Sequence, residues 1–380
     1  MPKMLSLGRE LERPIAAGHP WVYRDALPRH TLETGEWVRV EAGRAMAHGL
    51  YDAEGAIAVR LFSRLLEPDR DWFSARVQEA TLLRAGLQQA GTDAYRLIYG
   101  EGDGLPGIVV DRYGRQAVLK VYSQGVRTAL PQILKALTTA LDLRGVSERG
   151  ETGLESRYGQ LPPPELTVNE NGLRLLANLH EGQKTGLFLD QRDNRATVRR
   201  IAGGLDVLNL FSYNGGFSVA ALAGGATRVL SVDLAAPALR DAERTVALNG
   251  FGDEQHETLT ADVFDYLAGD AAHGYGLVVC DPPSLAHAKR SRHAALRAYR
   301  RLNVGALKRV SPGGMLATSS CTAQVSPEAF RQVVAEATAE AGVRAQIVHE
   351  AGHPLDHPVP ANFPEGRYLK FLVLRVLEQV

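Results

Sequence analysis

Leu205-Asp206-Val207-Leu208-Asn209-Leu210-Phe211-Ser212-Tyr213-Asn214-Gly215-Gly216-Phe217 reads as an apolar strand, a polar glycine turn and the start of a helix. The same beat repeats downstream. Residues 228–233 read as a strand and 236–248 as a helix, followed by strand 277–280, helix 294–310, strand 315–320 and helix 327–341. Alternation of this kind predicts a doubly wound, mostly parallel α/β sheet of the Rossmann-like type, because parallel neighbours must be joined by a crossover, usually a helix. The last two runs, 345–348 and 368–374, are separated by a Pro-rich segment instead of a helix, so they are expected to close the sheet as an antiparallel hairpin. In open α/β sheets ligands gather at the carboxyl ends of strands. Two such ends carry chemistry here. Asp281-Pro282-Pro283-Ser284 follows one strand and Ser319-Ser320-Cys321-Thr322 closes another, which places an acid and a thiol on one rim.

Composition narrows the class. A chain of 380 residues with 45% hydrophobic and 23% charged content is expected to fold into two or three domains. The N-terminus lacks a signal-peptide pattern and no apolar run approaches membrane-spanning length, so a soluble cytoplasmic protein without membrane contact is expected. Two cysteines are too few for a disulfide framework or a structural zinc site, and no metal is expected. Net charge is zero, yet only seven of the 43 basic residues are lysine, leaving arginine, the fork that suits phosphates, to dominate. One basic cluster, Lys289, Arg290, Arg292, His293, Arg297, Arg300, Arg301, Lys308 and Arg309, follows the Asp-Pro-Pro-Ser loop and fits either a solvated helix face or a phosphate-tracking surface.

Upstream the texture differs. Residues 1–66 carry short strand-like runs between turns, as a small β-rich domain would, with the aromatic stretch Gly18-His19-Pro20-Trp21-Val22-Tyr23 sealing it. A mixed domain is expected over 67–178: a helical pattern near 72–87, then a strand, the tight loop Asp103-Gly104-Leu105-Pro106-Gly107 and another strand, with a surface loop at Leu161-Pro162-Pro163-Pro164-Glu165. The third domain is then 179–380.

The ligand follows from the first strand's turn. Ser212 to Phe217 would bring a ligand close to backbone and to a helix N-terminus, although a plain tight turn explains the glycines equally well. Asp233 ends the next strand, seventeen residues beyond Gly216, where a carboxylate can bind ribose hydroxyls. Asp262 could reach an adenine edge, its alternative being a helix N-cap. The turn lacks dinucleotide spacing and no Walker loop occurs. An adenosine ligand without a phosphate cradle points to S-adenosylmethionine.

The segment 209–218, together with His180-Glu181-Gly182-Gln183-Lys184-Thr185-Gly186-Leu187-Phe188-Leu189-Asp190-Gln191-Arg192-Asp193-Asn194-Arg195, resembles the class I methyltransferases of the ribosomal RNA large subunit methyltransferase I type. The resemblance spans nearly the whole chain. Gly18 to Val22 and the short strands after it resemble that family's RNA-binding PUA β-barrel, and Asp103 to Gly107 is similar to the signature of its α+β central domain. The resemblance implies cytosine-C5 methylation of 23S rRNA, presented free, in the large subunit or in a precursor particle. Gln183, Thr185 and Phe188 would line the cofactor with Asn209, Phe211, Tyr213, Asn214, Gly215, Asp233, Asp262 and Asp281. Whether the chain pairs as a homodimer is left open.

Chemistry supports this independently. Carbon 5 of cytosine is a poor nucleophile until a thiolate adds at carbon 6, so a nucleophilic cysteine is required. Cys321, among small hydroxyl residues at a strand end, is the candidate. Asp281 would hydrogen-bond the N3/N4 edge of the base and activate carbon 6. Ser284 stands where amino-directed methyltransferases carry an aromatic after the two prolines, which argues against an exocyclic-amine target. Cys280, facing inward, reads as core. Two alternatives stay open: an rRNA base N-methyltransferase in which Cys321 is a spectator, and a non-catalytic RNA-binding or ribosome-assembly protein.

Overall fold

The computed structural model describes residues 2–182, 184–269, 274–286 and 291–379. They form two compact units, one of Met1–Val168, Ala177–Leu189 and Leu355–Gly366, the other of Asn169–Leu176, Asp190–Pro354 and Arg367–Val380.

The first unit holds two five-stranded sheets. Strands β1 (Lys3–Ser6), β2 (Trp21–Tyr23), β3 (Trp37–Ala42), β4 (Ala45–Tyr51) and β5 (Ile57–Ser63) pair in the order β1-β3-β4-β5-β2, with helix α1 (Glu12–Ala16) between the first two. Alternation in β3 turns Val38 and Val40 inward, where they meet Ile15, Ala47 and Val59. The second sheet follows α2 (Arg70–Leu83) and α3 (Ala85–Gln89), and comprises β6 (Ala94–Tyr99), β7 (Ile108–Tyr113), β8 (Gln116–Val121), β9 (Gly145–Arg149) and β10 (Leu154–Gly159) in the order β10-β9-β8-β7-β6. Strands β8 and β9 are parallel, as the intervening helix α4 (Leu130–Ala140) allows. Phe73 and Val77 of α2 and Ile133 and Leu137 of α4 cover Leu97, Val110 and Leu119. Beneath them Arg84 is fully buried and forks onto Asp103 at 2.6 and 2.8 Å, so the aspartate of the glycine-rich loop is a structural counter-ion. The expected β-rich and mixed segments thus have separate sheets, yet lie within one compact unit.

A hairpin of β11 (Glu165–Glu170) and β12 (Leu173–Asn178) precedes α5 (Arg192–Ile201). Then come β13 (Asp206–Leu210), α6 (Gly216–Ala223), β14 (Arg228–Asp233), α7 (Ala236–Leu248), β15 (His256–Thr260), α8 (Val263–Ala268), β16 (Tyr275–Cys280), α9 (Arg292–Lys308), β17 (Val310–Ser320), α10 (Pro327–Ala341), β18 (Val343–Ala351) and β19 (Lys370–Gln379). The strand order is β15-β14-β13-β16-β17-β19-β18, parallel as far as β17 and antiparallel at the final pair. The order reverses beside β13, between β14 and β16, which is the switch point where such sheets bind ligands. Leu208, Val278 and Leu316 are buried with Tyr299 and Leu302 of α9 and Phe330 and Val334 of α10.

Among the described residues no helix is long and apolar enough to cross a membrane. None of their His, Cys, Asp and Glu side chains group as a metal site.

Candidate active site

Strand register sets the acid beside the thiol-bearing loop. Cys280 lies opposite Thr318 in the β16–β17 pair, so Asp281 stands next to Ser319, whose hydroxyl donates to Asp281 Oδ1. Gln191, just ahead of α5, donates its Nε2 to the same oxygen at 2.7 Å, and Asn194 Nδ2 in turn donates to Gln191 Oε1 at 2.5 Å. The carboxylate is therefore oriented by a chain of neutral donors. On the other side of β17, Ser320 pairs with Lys370 at the start of β19. Lys370 is 4% exposed, and its Nζ donates to the carbonyls of Thr322 at 2.7 Å and Tyr368 at 2.8 Å. Burial pulls its pKa down to about 8, opposed by the nearby Cys321. Among the described residues no carboxylate forms an ion pair with it.

Cys321 is half-buried, with Sγ 3.8 Å from the Pro282 carbonyl. Thr322 fastens the acid's loop to the thiol's strand: its hydroxyl accepts from the Leu285 N–H at 3.1 Å and hydrogen-bonds the Tyr299 hydroxyl at 2.6 Å. Ser284 stands 3.4 Å from the same oxygen. Cys280 by contrast lies in the core, 1% exposed, where burial pushes its thiol far above the ordinary range and keeps it neutral.

The turn after β13 is strained. Phe211 and Tyr213 hold φ of 57° and 47°, a left-handed region that costs a non-glycine residue on the order of 1 kcal/mol or more. Asp233 stabilises it, its carboxylate accepting the N–H groups of Tyr213 and Ala235, each at 2.9 Å. Gly215 is also left-handed, at φ 78°, and a β-carbon there would lie 2.8 Å from that of Ala242 in α7. A neighbouring helix, not a ligand, occupies that side of the glycine. Ser212 Oγ is buried in the same turn without a partner among the described residues. Asn214 donates to the Leu176 carbonyl at 3.0 Å. Asn209 points into the interior, donating to Ser218 at 2.8 Å in a buried relay through Ser231 to His256. Asp262 caps α8, its Oδ1 accepting from Phe264 N at 2.8 Å and Asp265 N at 3.1 Å.

A family model of S-adenosylmethionine-dependent methyltransferases matches residues 153–364, and one of PUA-like domains matches residues 5–64. A ribosomal RNA large subunit methyltransferase of Deinococcus radiodurans is 39% identical over 98% of this chain and 97% of its own length. The ribosomal RNA large subunit methyltransferase I of Klebsiella pneumoniae strain 342 is 36% identical over 98% of each chain. The chain belongs to the ribosomal RNA large subunit methyltransferase I family. Among solved structures, a methyltransferase complexed with SAH is 26% identical and superposes with a TM-score of 0.89 over 98% of this chain and 100% of its own. The fold is thus a PUA-like N-terminal domain joined to a Rossmann-like methyltransferase domain, and S-adenosylmethionine is the cofactor.

The methyltransferase's rim suits that cofactor. The orphaned Ser212 hydroxyl and the carboxylates of Asp233 and Asp262 offer the polar groups a ribose and an adenine edge need. Thr185 and Phe188 lie in the first unit. Thr185 donates to Asp111 at 2.6 Å and bonds the Tyr113 hydroxyl at 2.8 Å, while the Lys184 ammonium sits 4.2 Å over the Phe188 ring. Gln183, Lys289 and Arg290 lie outside the described residues. The rest of the basic cluster disperses along α9. Arg300 pairs with Glu336 and Glu340, Arg301 lies over Phe264, and Arg309 donates to the carbonyls of Tyr266 and Gly269. Sequence reasoning passed over Gln191, Asn194, Ser319 and Lys370. Ser319, adjacent to the thiol motif, was the one with a readable signal.

Proposed function

We propose that this protein methylates carbon 5 of a cytosine in 23S rRNA, using Cys321 as nucleophile. The observation that carries the reading is a half-buried thiol whose next residue, Thr322, gives its carbonyl to a buried ammonium that pairs with no carboxylate among the described residues, on the same rim as an acid held by Gln191 and Ser319. S-adenosylmethionine supplies an electrophilic methyl group; the rest falls to the chain. The target base must first leave its stack to reach the strand ends. Asp281 then hydrogen-bonds its N3/N4 edge and draws electron density from the ring. The Cys321 thiolate adds to carbon 6, and the electron pair of the 5,6 double bond becomes available at carbon 5, which takes the methyl group. Loss of the carbon-5 proton to a base then expels the thiolate and restores the double bond. Lys370 favours the anionic sulfur at both ends of this cycle, and Tyr213, Asp233 and Asp262 hold the cofactor.

The names of the relatives and the PUA-like domain support ribosomal RNA as substrate. The test is nucleoside mass spectrometry and bisulfite mapping of 23S rRNA from cells with and without the gene, with Cys321→Ala as complement. Loss of a single 5-methylcytosine that Cys321→Ala fails to restore is expected. A methylated base other than 5-methylcytosine, restored by Cys321→Ala, overturns the carbon-5 reading. A 5-fluorocytosine substrate should trap the adduct through Cys321, since fluorine cannot leave as a proton does.

A further inference from the structure

The glycine-rich loop of the first unit has a feature that methyl transfer leaves unused. Gly107 holds φ at 77°, and a β-carbon there would fall 3.0 Å from Cδ and Nε of Arg60. The bare glycine gives the Arg60 stem its place. Arg60, on β5, is 9% exposed, and its Nε is buried with no partner. None of the hydrogen bonds or ion pairs among the described residues involves its guanidinium. The carboxylates that act on it through space, Glu101 and Asp52, are engaged elsewhere. Glu101 accepts from Trp21 Nε1 at 2.8 Å, and Asp52 accepts from Ser123 Oγ at 2.6 Å and from the N–H groups of Glu54 and Gly125. A buried Nε–H without an acceptor is costly, and no acceptor among the described residues takes the other donors of this guanidinium, so they call for a guest.

A place for one exists. Arg60 lines a cavity of about 380 Å³ with Asp52, Glu54, Tyr122, Ser123 and Arg127, within the range of small-molecule sites. Charge selects the guest. The Arg127 fork is already spent on Glu148, at 2.6 Å, and the Arg24 fork on the carbonyls of Asp52, Glu54 and Gly55, so Arg60 faces Asp52 and Glu54 with little positive excess, a poor seat for a bare phosphate. A neutral ring carrying two adjacent acceptors on one edge and donors on another fits better, and Tyr122, 60% exposed with the Lys120 ammonium 5.2 Å from the centre of its ring, offers it an aromatic side chain. Guanine has that pattern: O6 and N7 accept an arginine fork, while N1–H and the exocyclic amine can meet a carboxylate.

We propose that this pocket receives an unpaired guanine base of the RNA on which the protein acts. The inference rests on the RNA reading above but not on the carbon-5 chemistry. It supplies an anchor in the PUA-containing unit that reads a base.

Fluorescence anisotropy with the full-length protein tests it, using a nine-nucleotide oligouridine RNA carrying one central guanosine, the same RNA with 7-deazaguanosine, and plain oligouridine. One arginine–guanine fork gives about 5- to 150-fold discrimination. The guanosine RNA should bind about tenfold or more tighter than the 7-deaza form, and Arg60→Gln should erase the difference. Tyr122→Ala, a surface change that leaves folding intact, should weaken guanosine binding about fivefold or more. Equal binding of guanosine RNA by wild type, Arg60→Gln and Tyr122→Ala overturns the proposal. So does an Arg60→Gln loss of the same size for all three RNAs, which would mark a phosphate contact. If 23S rRNA itself fails to bind the wild type, the RNA reading falls; if it binds while the variants match wild type, only this pocket does.

Discussion

Replacing Lys370 by methionine tests whether the buried ammonium activates Cys321. Its Nζ bonds the carbonyl of the residue that follows the thiol. One residue and one hydrogen bond put charge and sulfur on the order of 7 Å apart. At an effective dielectric constant of about 20, a unit charge at that separation is worth about 2 kcal/mol to a thiolate. Removing it should raise the pH at which Cys321 becomes nucleophilic by about 1.5. Tyr299 also acts on the thiol and supplies no positive charge that could compensate. The assay is the iodoacetamide rate at Cys321 from pH 6 to 10, followed by peptide mass, with buried Cys280 as internal control. At pH 7 the variant should react about tenfold to thirtyfold more slowly and converge with wild type above pH 10. Superimposable profiles would refute the reasoning.

Stability provides a second readout on the same variant. Folded Lys370 releases its proton near 8, against an ordinary value of 10.5. Between those pH values the unfolded chain holds more protons, so the wild type gains stability as pH rises, by about 3 kcal/mol in all; the cost is fully present below pH 8. Lys370→Met removes that slope. At pH 7 it also strips donors from the Thr322 and Tyr368 carbonyls, at about 1–3 kcal/mol each. The two effects nearly cancel there, so the variant should fold normally at neutral pH and differ from wild type only in denaturation at alkaline pH.

Other substitutions probe neighbouring claims. Glu170→Gln removes the negative charge from the buried fork with Arg195, bonded at 2.7 and 2.6 Å, and should cost about 3–5 kcal/mol in urea denaturation. Gln191→Ala removes one of the donors that orient Asp281 and should lower the methyl-transfer kcat on the order of 100-fold, with S-adenosylmethionine affinity by calorimetry unchanged. His256 is held below its usual pKa by burial, so the unfolded chain binds its proton first and stability falls as pH drops below about 6.5. His256→Gln should flatten that limb of the thermal-melting profile.

The sheet was legible because its inner strands are buried on both faces. Val207, Leu208, Val278, Val279 and Leu316 stand out in sequence as short apolar runs. Edge strand β15, His256-Glu257-Thr258-Leu259-Thr260, has only His256 buried, and its polar composition hid it. Helix α5 was hidden for a different reason: it buries Arg192, Asn194 and Arg195, so its inward face is polar and no apolar period announces it. The expected boundary at 178 also shifts. Residues 169–176 belong to the catalytic unit, tied there by Glu170 to Arg195 and by the Leu176 carbonyl to Asn214, whereas 177–189 belong to the first unit. Charge pairs and backbone carbonyls leave no hydropathy signal. Cys321 and Asp281 were readable because their chemistry is local to a motif. Lys370 was not, since its meaning depends on β19 running antiparallel and pairing it with Ser320.

Several costs in the catalytic unit lie at the carboxyl-terminal rim of its sheet. Phe211 and Tyr213 hold left-handed backbone, the hydroxyls of Ser212 and Thr318 are buried without partners among the described residues, and Lys370 is a buried cation with no counter-ion there. The opposite ends of the same strands show none of these. Each cost is of a kind that a substrate or cofactor can relieve: an orphan hydroxyl by a polar ligand atom, a lone ammonium by a thiolate. If the rim is strained for function, the relief must appear on binding. S-adenosylmethionine at 100 times its Kd should stabilise the protein by about 2.7 kcal/mol through mass action alone. Substituting Ser212 by alanine removes an unsatisfied polar group and should make the free protein more stable while weakening its affinity for the cofactor. A Ser212→Ala protein that melts lower than wild type and binds S-adenosylmethionine equally well would show that the hydroxyl serves the fold and not the ligand.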